Sequence, residues 1–307
     1  MQAESPSTTN ARASHIAASA AWGRRVDGVD DALLAAALAV ARENRVERAV
    51  VEAHPGRLGP ELARLDGDRA SFRDALAASG AALEAAAVPA CLIKVDPDDD
   101  LGYENFDVVV PLEDWPEALG ALAGWANGTS RHRLERDKRF VHNPHGPDLH
   151  LHSRVSWYEV PVIDAAPLLA RAAAAIPGFW VPAPADRLRT LLAHAAFQTL
   201  CLDLRDLRDL RELLDAGVVD EARPLARSEG WAGLFEHALA VGRAAVGELD
   251  AGRTPRLPAP LSGHVSLARG GRHVAYLARR RPRAALRELA LRPALVAAKL
   301  RRGIATW

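Results

Sequence analysis

The run Asn105-Phe106-Asp107-Val108-Val109-Val110-Pro111 and the later run Asp148-Leu149-His150-Leu151-His152 decide the fold of this chain. In each run, polar and apolar residues alternate with a period of two, which is typical of a β-strand with one buried face. If the two strands are neighbours in one sheet, their carboxylates meet on a shared face, within reach of a hard divalent cation. The alternation places these polar side chains on that face: Asn105, Asp107, Asp148, His150 and His152.

Helical spacing surrounds the two strands. The pattern predicts helices within 29–87, at 113–125, 185–214 and 228–249, and from about 274 to 302. It predicts further strands at 88–93 and 131–141, a strand over 148–155, and an acidic turn at 96–102. The chain is therefore predicted to be α+β, with a small mixed β-sheet flanked by N-terminal and C-terminal helical regions.

The same pattern divides the chain into five segments. A disordered tail is expected at 1–14, a helical region at 15–87, the α/β core at 88–160, a helical domain at 161–253, and a linker with basic C-terminal helices at 254–307. Between Arg269 and Arg302 there are eleven Arg and Lys residues against one acid, Glu288. This amphipathic basic segment is a candidate binding surface for an anionic partner, although surface helices of an Arg-rich protein have the same pattern.

Composition limits the classes of partner and compartment. The 307 residues carry a formal net charge of zero, so no global field attracts nucleic acid or membrane. No apolar run approaches the ~20 residues that a membrane-spanning helix needs, and we expect no transmembrane segment. Cys91 and Cys201 lie in apolar segments without metal-ligand spacing, which favours buried thiols in a reducing cytoplasm.

The ordered motifs resemble a known family. A strand ending Leu92-Ile93-Lys94, the Asn105–Pro111 strand, the later Asp148-Leu149-His150 and the helical Leu191-Leu192-Ala193-His194 follow one another over about residues 30–250. This order is similar to that of the uncharacterised nucleotidyltransferases of bacteria, a branch of the DNA polymerase beta-type nucleotidyltransferase superfamily. Each motif alone is weakly specific, whereas their joint order is moderately specific.

The resemblance implies a Mg²⁺-dependent or Mn²⁺-dependent enzyme that moves a nucleoside monophosphate from an NTP to a hydroxyl of a small-molecule or protein acceptor. It implies Asn105, Asp107 and Asp148 as metal ligands and Asp107 and Asp148 as catalytic residues, with Asp148 the candidate general base. Lys94, Asn105 and His150 are the expected contacts of the nucleotide.

Three departures from the family pattern motivate a second hypothesis. Asn105 replaces an Asp, Val95 stands where a Gly follows the family's lysine, and the acidic 96–100 loop replaces a phosphate-cradling turn. An amide contributes no negative charge to a Mg²⁺ site. The alternative is therefore a binding or scaffold protein on the same fold, with catalysis lost.

A third hypothesis uses the histidines. Asp148, His150 and His152 have the residue types of a zinc site, so a zinc-dependent hydrolase is the rival from another chemical class. The plainer interpretation is that these histidines line a strand face. Likewise, the position of His194 is typical of a buried histidine whose ring nitrogens are hydrogen-bonded. The Asp203–Glu212 charges are typical of a solvated helix face. The basic residues near the core are candidate phosphate contacts or solvated charges: Arg131, Arg133, Arg136, Lys138 and Arg139.

Overall fold

The computed structural model describes residues 6–95, 104–131, 135, 137–157 and 160–261, and single helical positions between 275 and 290. Within these ranges the chain forms ten α-helices, a seven-stranded mixed sheet and two small two-stranded sheets. The predicted α+β class is confirmed. The acidic 96–100 loop and nearly all of the basic C-terminal segment lie outside the described residues. No helix in the described part of the chain is long and apolar enough to cross a membrane.

Four helices precede the sheet, two lie among its strands and four follow it. The first four are α1 (Pro6–Ala21), α2 (Asp31–Glu43), α3 (Glu47–Ala53) and α4 (Gly59–Ala85). The next two are α5 (Trp115–Ala121), which lies between 3-10 turns at Leu112–Asp114 and Leu122–Gly124, and α6 (Ala165–Arg171). The last four are α7 (Pro184–His194), α8 (Leu204–Asp215), α9 (Val219–Ser228) and α10 (Ala232–Asp250).

The main sheet places the two deciding strands side by side at its centre. In spatial order its strands are β3 (Gly128–Arg131), β4 (Lys138–His142), β5 (Asp148–His152), β2 (Asn105–Val109), β1 (Cys91–Ile93), β9 (Phe179–Val181) and β8 (Ala173–Ile176). The pairs β2–β5 and β1–β9 are parallel, and the other pairs are antiparallel. The small sheets pair β6 (Arg154–Trp157) with β7 (Val160–Asp164) and β10 (Cys201–Leu202) with β11 (Ala259–Pro260).

Alternate side chains of β2 belong to two different hydrophobic clusters, one on each face of the sheet. Phe106 and Val108 are fully buried in a cluster with residues of α4, α5 and β9. The ring of Phe106 makes edge contacts with Phe72 and Phe179, with centroids 5.9 Å and 6.4 Å away. On the other face, Val109 joins a larger cluster built mainly from the remaining helices. Asp107 therefore points toward the helical side of the sheet, and Asn105 is the other polar residue of this strand.

The predicted disordered tail is wrong from residue 6 onward, because 6–14 begin helix α1. Ala13 and Ala17 are fully buried and Ile16 is 2% exposed, so one face of α1 belongs to the helical core. Small alanine side chains allow this close packing. The Ser, Thr and Asn residues of the first ten positions are typical of a tail, whereas the apolar spacing that follows them is helical. Residues 1–5 lie outside the described ranges.

The predicted helical domain over 161–253 contains helices α6 to α10 but is not purely helical, because β8 and β9 lie within it and extend the sheet. The predicted helix over 185–214 is two helices, since α7 passes into a π-helical turn and Leu200 adopts a left-handed conformation with φ 59°. Asp203 then caps α8 by accepting a hydrogen bond from Asp206 N at 2.8 Å. The local pattern did not distinguish one long helix from two helices joined by a capped break.

Candidate functional site

Parallel pairing of β2 and β5 brings the predicted polar residues together. In this register Asn105 lies opposite Asp148, Asp107 opposite His150, and Val109 opposite His152. Directly paired residues of neighbouring strands project to the same face of a sheet. The two strands are therefore neighbours with a shared polar face, which is the condition on which the sequence-based hypotheses depend.

Asp107 is the buried centre of this face and is only 6% exposed. Its Oδ1 atom accepts a hydrogen bond from His152 Nε2 at 2.6 Å, and its Oδ2 atom lies 3.1 Å from Lys94 Nζ. His150 Nδ1 and Lys138 Nζ lie 3.6 Å and 3.9 Å from Oδ1. Both carboxylate oxygens of Asp107 thus face cationic or imidazole groups of the protein itself.

These contacts keep Asp107 ionised. Burial alone would raise the pKa of Asp107, but the charge of Lys94 and the contacts with His150 and His152 hold that pKa well below its ordinary value. Burial lowers the pKa of His152 despite the opposing effect of Asp107. A neutral His152 therefore donates its Nε2–H to a carboxylate that can only accept. Burial also lowers the pKa of Lys138, again against the pull of Asp107.

Lys94 reaches Asp107 from a strained backbone position. Lys94 directly follows β1 and has a left-handed conformation with φ 63°, which costs a non-glycine residue about 1–2 kcal/mol. Its Nζ atom lies 5.6 Å from the centre of the Trp157 ring, and Trp157 is in turn held by a 2.7 Å hydrogen bond from Nε1 to Gln198 Oε1. The ammonium group therefore sits between a carboxylate and an aromatic face.

Asp148 has a different role in the structure. Its Oδ2 atom lies 2.9 Å from His142 Nδ1, and its Oδ1 atom accepts a hydrogen bond from the backbone N–H of Asn143 at 3.0 Å. These contacts close the turn between β4 and β5. Asp148 is therefore on the predicted face, beside Asn105, but it caps the turn that precedes its own strand, as Asp commonly does.

The donor set does not fit Mg²⁺ or Mn²⁺ in this arrangement. A hard dication needs carboxylate oxygens that are open to it, whereas the Asp107 carboxylate already faces the ammonium groups of two lysines and Asp148 is turned toward His142. A zinc site fits no better, since His150 and His152 face Asp107 and Asp148 does not join them. Among the described residues, no group of three or more His, Cys, Asp and Glu side chains is placed to hold a metal ion.

A cavity of about 260 Å³ adjoins this face and shares Lys94 with it. It lies between the carboxyl ends of β1 and β9 on one side and helices α7 and α8 on the other. Its polar wall includes Arg45, Arg187, Thr190, His194, Arg205, Asp206 and Asp209. Burial, followed by the charges of Lys94 and Arg45, lowers the pKa of His194 to about 3, so this histidine is neutral.

Part of the segment interpreted from sequence as a solvated helix face is buried in this wall. Arg45 donates from Nε to Asp203 Oδ2 and from Nη2 to Asp206 Oδ1, both at 2.6 Å. Burial and the adjacent Asp203 raise the pKa of Asp206 to about 7, although Arg45 opposes the rise. The Asp-x-x-Asp spacing of the capping box indicates from sequence that these acids lie at the start of a helix. Their partner Arg45 is 158 positions from Asp203, so no local sequence pattern could predict this contact.

We expect Asp206→Asn to change how stability depends on pH. The pKa of Asp206 rises from 3.8 to about 7 on folding, so its contribution to stability is present below pH 4 and is lost as the pH rises through 7. Relative to wild type, the variant should therefore gain free energy of unfolding between pH 5 and 7, on the order of 1 kcal/mol per pH unit. Urea unfolding at several pH values measures this slope.

The exposed Asp215, at the end of α8, supplies the matched control, because Asp215→Asn should leave the slope unchanged. Parallel pH profiles for wild type and Asp206→Asn would contradict the assignment.

Two of the basic residues offered as phosphate contacts, Lys138 and Arg139, lie in the described part of the chain. Lys138 joins the Asp107 contacts, whereas the guanidinium carbon of Arg139 lies 5.9 Å from the ring centre of Trp115, on the opposite face of the sheet. The side chain of Arg131 and both Arg133 and Arg136 lie outside the described residues. The sequence therefore identified Lys94, Asp107 and His150 as neighbours, and it assigned no ligand-binding role to the other residues of the cavity.

Comparison of the chain with protein-family models, with curated proteins and with solved structures finds no match.

Proposed function

We propose that this chain is a binding protein built on a nucleotidyltransferase-like α+β core, and that this core does not carry out metal-dependent nucleotidyl transfer. The observation that carries the proposal is the environment of Asp107. One of its oxygens lies 3.1 Å from the ammonium group of Lys94, which supplies the counter-charge that a metal would supply, and the other accepts a 2.6 Å hydrogen bond from His152.

The charge balance supports this interpretation. Bringing a dication to Asp107 would place it beside the ammonium groups of Lys94 and Lys138, and like charges at such distances repel strongly in a low-dielectric site. Asn105 offers no additional negative charge, and the oxygens of Asp148 are engaged in the β4–β5 turn. In the proposed binding protein, the buried ion cluster around Asp107 stabilises the sheet and orients Lys94 toward the adjacent cavity.

The thiols support an intracellular, reducing location for this binding protein. Cys91 is buried and Cys201 is partly buried, and both are free. Burial raises the pKa of Cys91 to about 12 and that of Cys201 to about 11. Neither thiol is therefore activated for metal binding or nucleophilic chemistry, which is the behaviour expected of structural cysteines.

Thermal unfolding with each NTP, with and without Mg²⁺ or Mn²⁺, tests the proposal. We expect no metal-dependent stabilisation by any nucleotide and no release of pyrophosphate. A nucleotide at 100 times its Kd would add ~2.7 kcal/mol, a shift of a few degrees, so binding would be detected. A metal-dependent shift in wild type that disappears in Asp107→Asn would overturn the proposal.

A Mg²⁺-dependent nucleotidyltransferase remains the second candidate, because the register places Asn105 directly opposite Asp148. In that function, Lys94 and His152 would have to leave the oxygens of Asp107. The variant Asn105→Asp separates the two candidates, since it restores a second carboxylate on β2.

For the binding protein, we expect Asn105→Asp to acquire no measurable Mg²⁺ affinity in isothermal titration calorimetry. The cluster around Asp107 remains the same, and a carboxylate at position 105 would face Asp148 without a third open ligand. Asp148→Asn is the matched control at the paired position. Saturable Mg²⁺ binding by Asn105→Asp, together with release of pyrophosphate from an NTP, would favour the enzyme instead.

A further inference from the structure

The cavity beside Lys94 lies between the carboxyl ends of two parallel strands and the end of a helix. Lys94 and Val95 follow β1, Val181 ends β9, and helices α7 and α8 form the opposite side. Helix α7 ends at His194, where the chain passes into the π-helical turn Ala195–Thr199. Crevices at the carboxyl ends of parallel strands are common ligand sites, and π-helical turns occur frequently at functional sites. The cavity therefore has the position expected of a binding site.

The charged side chains of the cavity wall are paired within the protein. The pairs are Lys94 with Asp107 at 3.1 Å, Arg45 with Asp203 and Asp206 at 2.6 Å, and Arg205 with Asp209 at 3.2 Å. Arg187, which also lines the cavity, has a contact partner as well. An ion that entered the cavity would have to compete for one of these partners or remain buried without a counter-charge, and either is costly. The electrostatics of the wall therefore favour a neutral ligand.

His194 is a neutral hydrogen-bonding group in this wall. Burial, followed by the charges of Lys94 and Arg45, lowers the pKa of its imidazole to about 3, so the ring carries one N–H donor and one bare acceptor nitrogen at neutral pH. The ring lies beside Trp157, with centroids 5.8 Å apart. The sequence favoured hydrogen-bonded ring nitrogens for this histidine, but within the described ranges neither nitrogen has a hydrogen-bond partner, and neither is fully buried. These nitrogens are therefore open to a ligand in the cavity.

The size and the apolar part of the wall define the ligand further. An apolar cavity of ~150 Å³ can hold one benzene molecule, and this one has a volume of about 260 Å³. A single ring with a short polar substituent therefore fits, whereas a nucleoside triphosphate is too large. Apolar side chains supply much of the wall: Val95, Val181, Pro182, Leu191 and Leu213. An apolar ligand body would be stabilised by packing on them and leaving water.

We infer that this cavity binds a neutral small molecule, whose hydrogen-bonding group contacts His194 and whose apolar body packs on Leu191 and Leu213. The inference deepens the proposed function, on which it rests, by naming the ligand class of the binding protein. A hydroxyl or amide group suits the site, because either can accept a hydrogen bond from the N–H of a neutral imidazole or donate one to its bare nitrogen.

Isothermal titration calorimetry with four probes that share one aromatic ring tests the ligand class. Benzyl alcohol and benzamide are neutral, benzoate is an anion and benzylammonium is a cation. We expect at least one neutral probe to bind saturably, at least tenfold tighter than either ion, because an ion finds the charges of the wall already paired. Absence of saturable binding by both neutral probes at millimolar concentration would overturn the inference, as would an ion that binds within tenfold of the better neutral probe.

Two variants locate the site. His194→Phe keeps a planar ring beside Trp157 and removes both nitrogens, and we expect it to weaken binding of the neutral probe about tenfold. Leu191→Trp, at a partly buried position of the wall, fills part of the cavity and should weaken binding by a similar factor or more. His145→Phe, at an exposed position of the β4–β5 turn, is the matched control and should bind as wild type does. Unchanged binding of the neutral probe by either cavity variant would overturn the inference.

Thermal unfolding without ligand separates a folding defect from a lost ligand contact. Because the ring nitrogens of His194 have no hydrogen-bond partner among the described residues, His194→Phe should keep the Tm within a few degrees of wild type. Leu191→Trp gives a second, independent test of the site if His194→Phe is unstable. The proposed function fails on Mg²⁺-dependent nucleotide binding lost in Asp107→Asn, whereas the ligand inference fails on neutral-probe binding that does not depend on His194 and Leu191. The two failures are therefore distinguishable.

Discussion

Asp107→Ala should lower the free energy of unfolding by about 3–5 kcal/mol, the usual cost of removing one partner from a buried ion pair. The substitution leaves the ammonium groups of Lys94 and Lys138 in a buried site without the carboxylate that now lies 3.1 Å and 3.9 Å from them. It also removes the acceptor of the 2.6 Å hydrogen bond from His152. Urea unfolding at pH 7 measures the loss.

Two further variants test whether the loss of stability is specific to the ion cluster around Asp107. Asp148→Ala removes a carboxylate from the same sheet face, but its side chain is 35% exposed, so we expect a loss of less than about 1 kcal/mol. Lys94→Met should recover part of the stability of Asp107→Ala in the double variant, since it removes one of the unpaired ammonium groups. Equal losses for Asp107→Ala and Asp148→Ala would show that Asp107 is not the centre of a buried ion cluster.

Gly178→Ala should lower the free energy of unfolding by about 2–4 kcal/mol, combining overpacking with backbone strain. Gly178 has φ 78°, a left-handed conformation that favours glycine. A Cβ atom at this position would overlap the backbone carbonyl of Gly80, and a rigid α4 backbone cannot move away as a flexible side chain would. The contact between Gly80 and Gly178 holds α4 against the turn between β8 and β9.

Gly217→Ala is the matched control for this prediction. Gly217 has φ 70°, and a Cβ atom added there would meet no other atom within 4 Å, so its substitution tests the backbone strain alone. We expect a loss of about 1 kcal/mol for Gly217→Ala. The difference between the two variants in urea unfolding then isolates the steric contribution. Equal losses would mean that the α4 contact accommodates a methyl group.

The strands that carry Asp107 and His150 were predictable because their signal is local. An alternation of period two specifies which side chains share a face, and the apolar members Phe106, Val108 and Leu149 show which face is buried. Helices α2 and α10 were predictable for the same reason, since apolar residues recur at helical spacing and Asp30 accepts a hydrogen bond from Leu33 N at 2.8 Å as the cap of α2. These features depend on neighbours within a few positions.

The break between α7 and α8 was not predictable from the same kind of pattern. Leucines recur across 185–214 as they would in one helix, yet Leu200 leaves the helical conformation and Asp203 begins a new helix. The reason is tertiary: Leu202 pairs with Ala259 in the β10–β11 sheet, and Arg45 binds both acids of the capping box. Contacts between residues so distant in sequence offset the local preference for a continuous helix.

The sequence by itself determined the α+β class, the strand faces and the presence of Asp107 on a polar face. Only the tertiary structure decided what that face can do. Lys94, Lys138 and His152 come from three different strands or strand ends, and their convergence on one carboxylate makes a buried ion cluster where a metal site was expected. The same folding closes the cavity around His194. Strand period is a property of neighbouring residues, whereas the electrostatic environment of a buried group depends on every charge that the fold brings within a few ångströms of it.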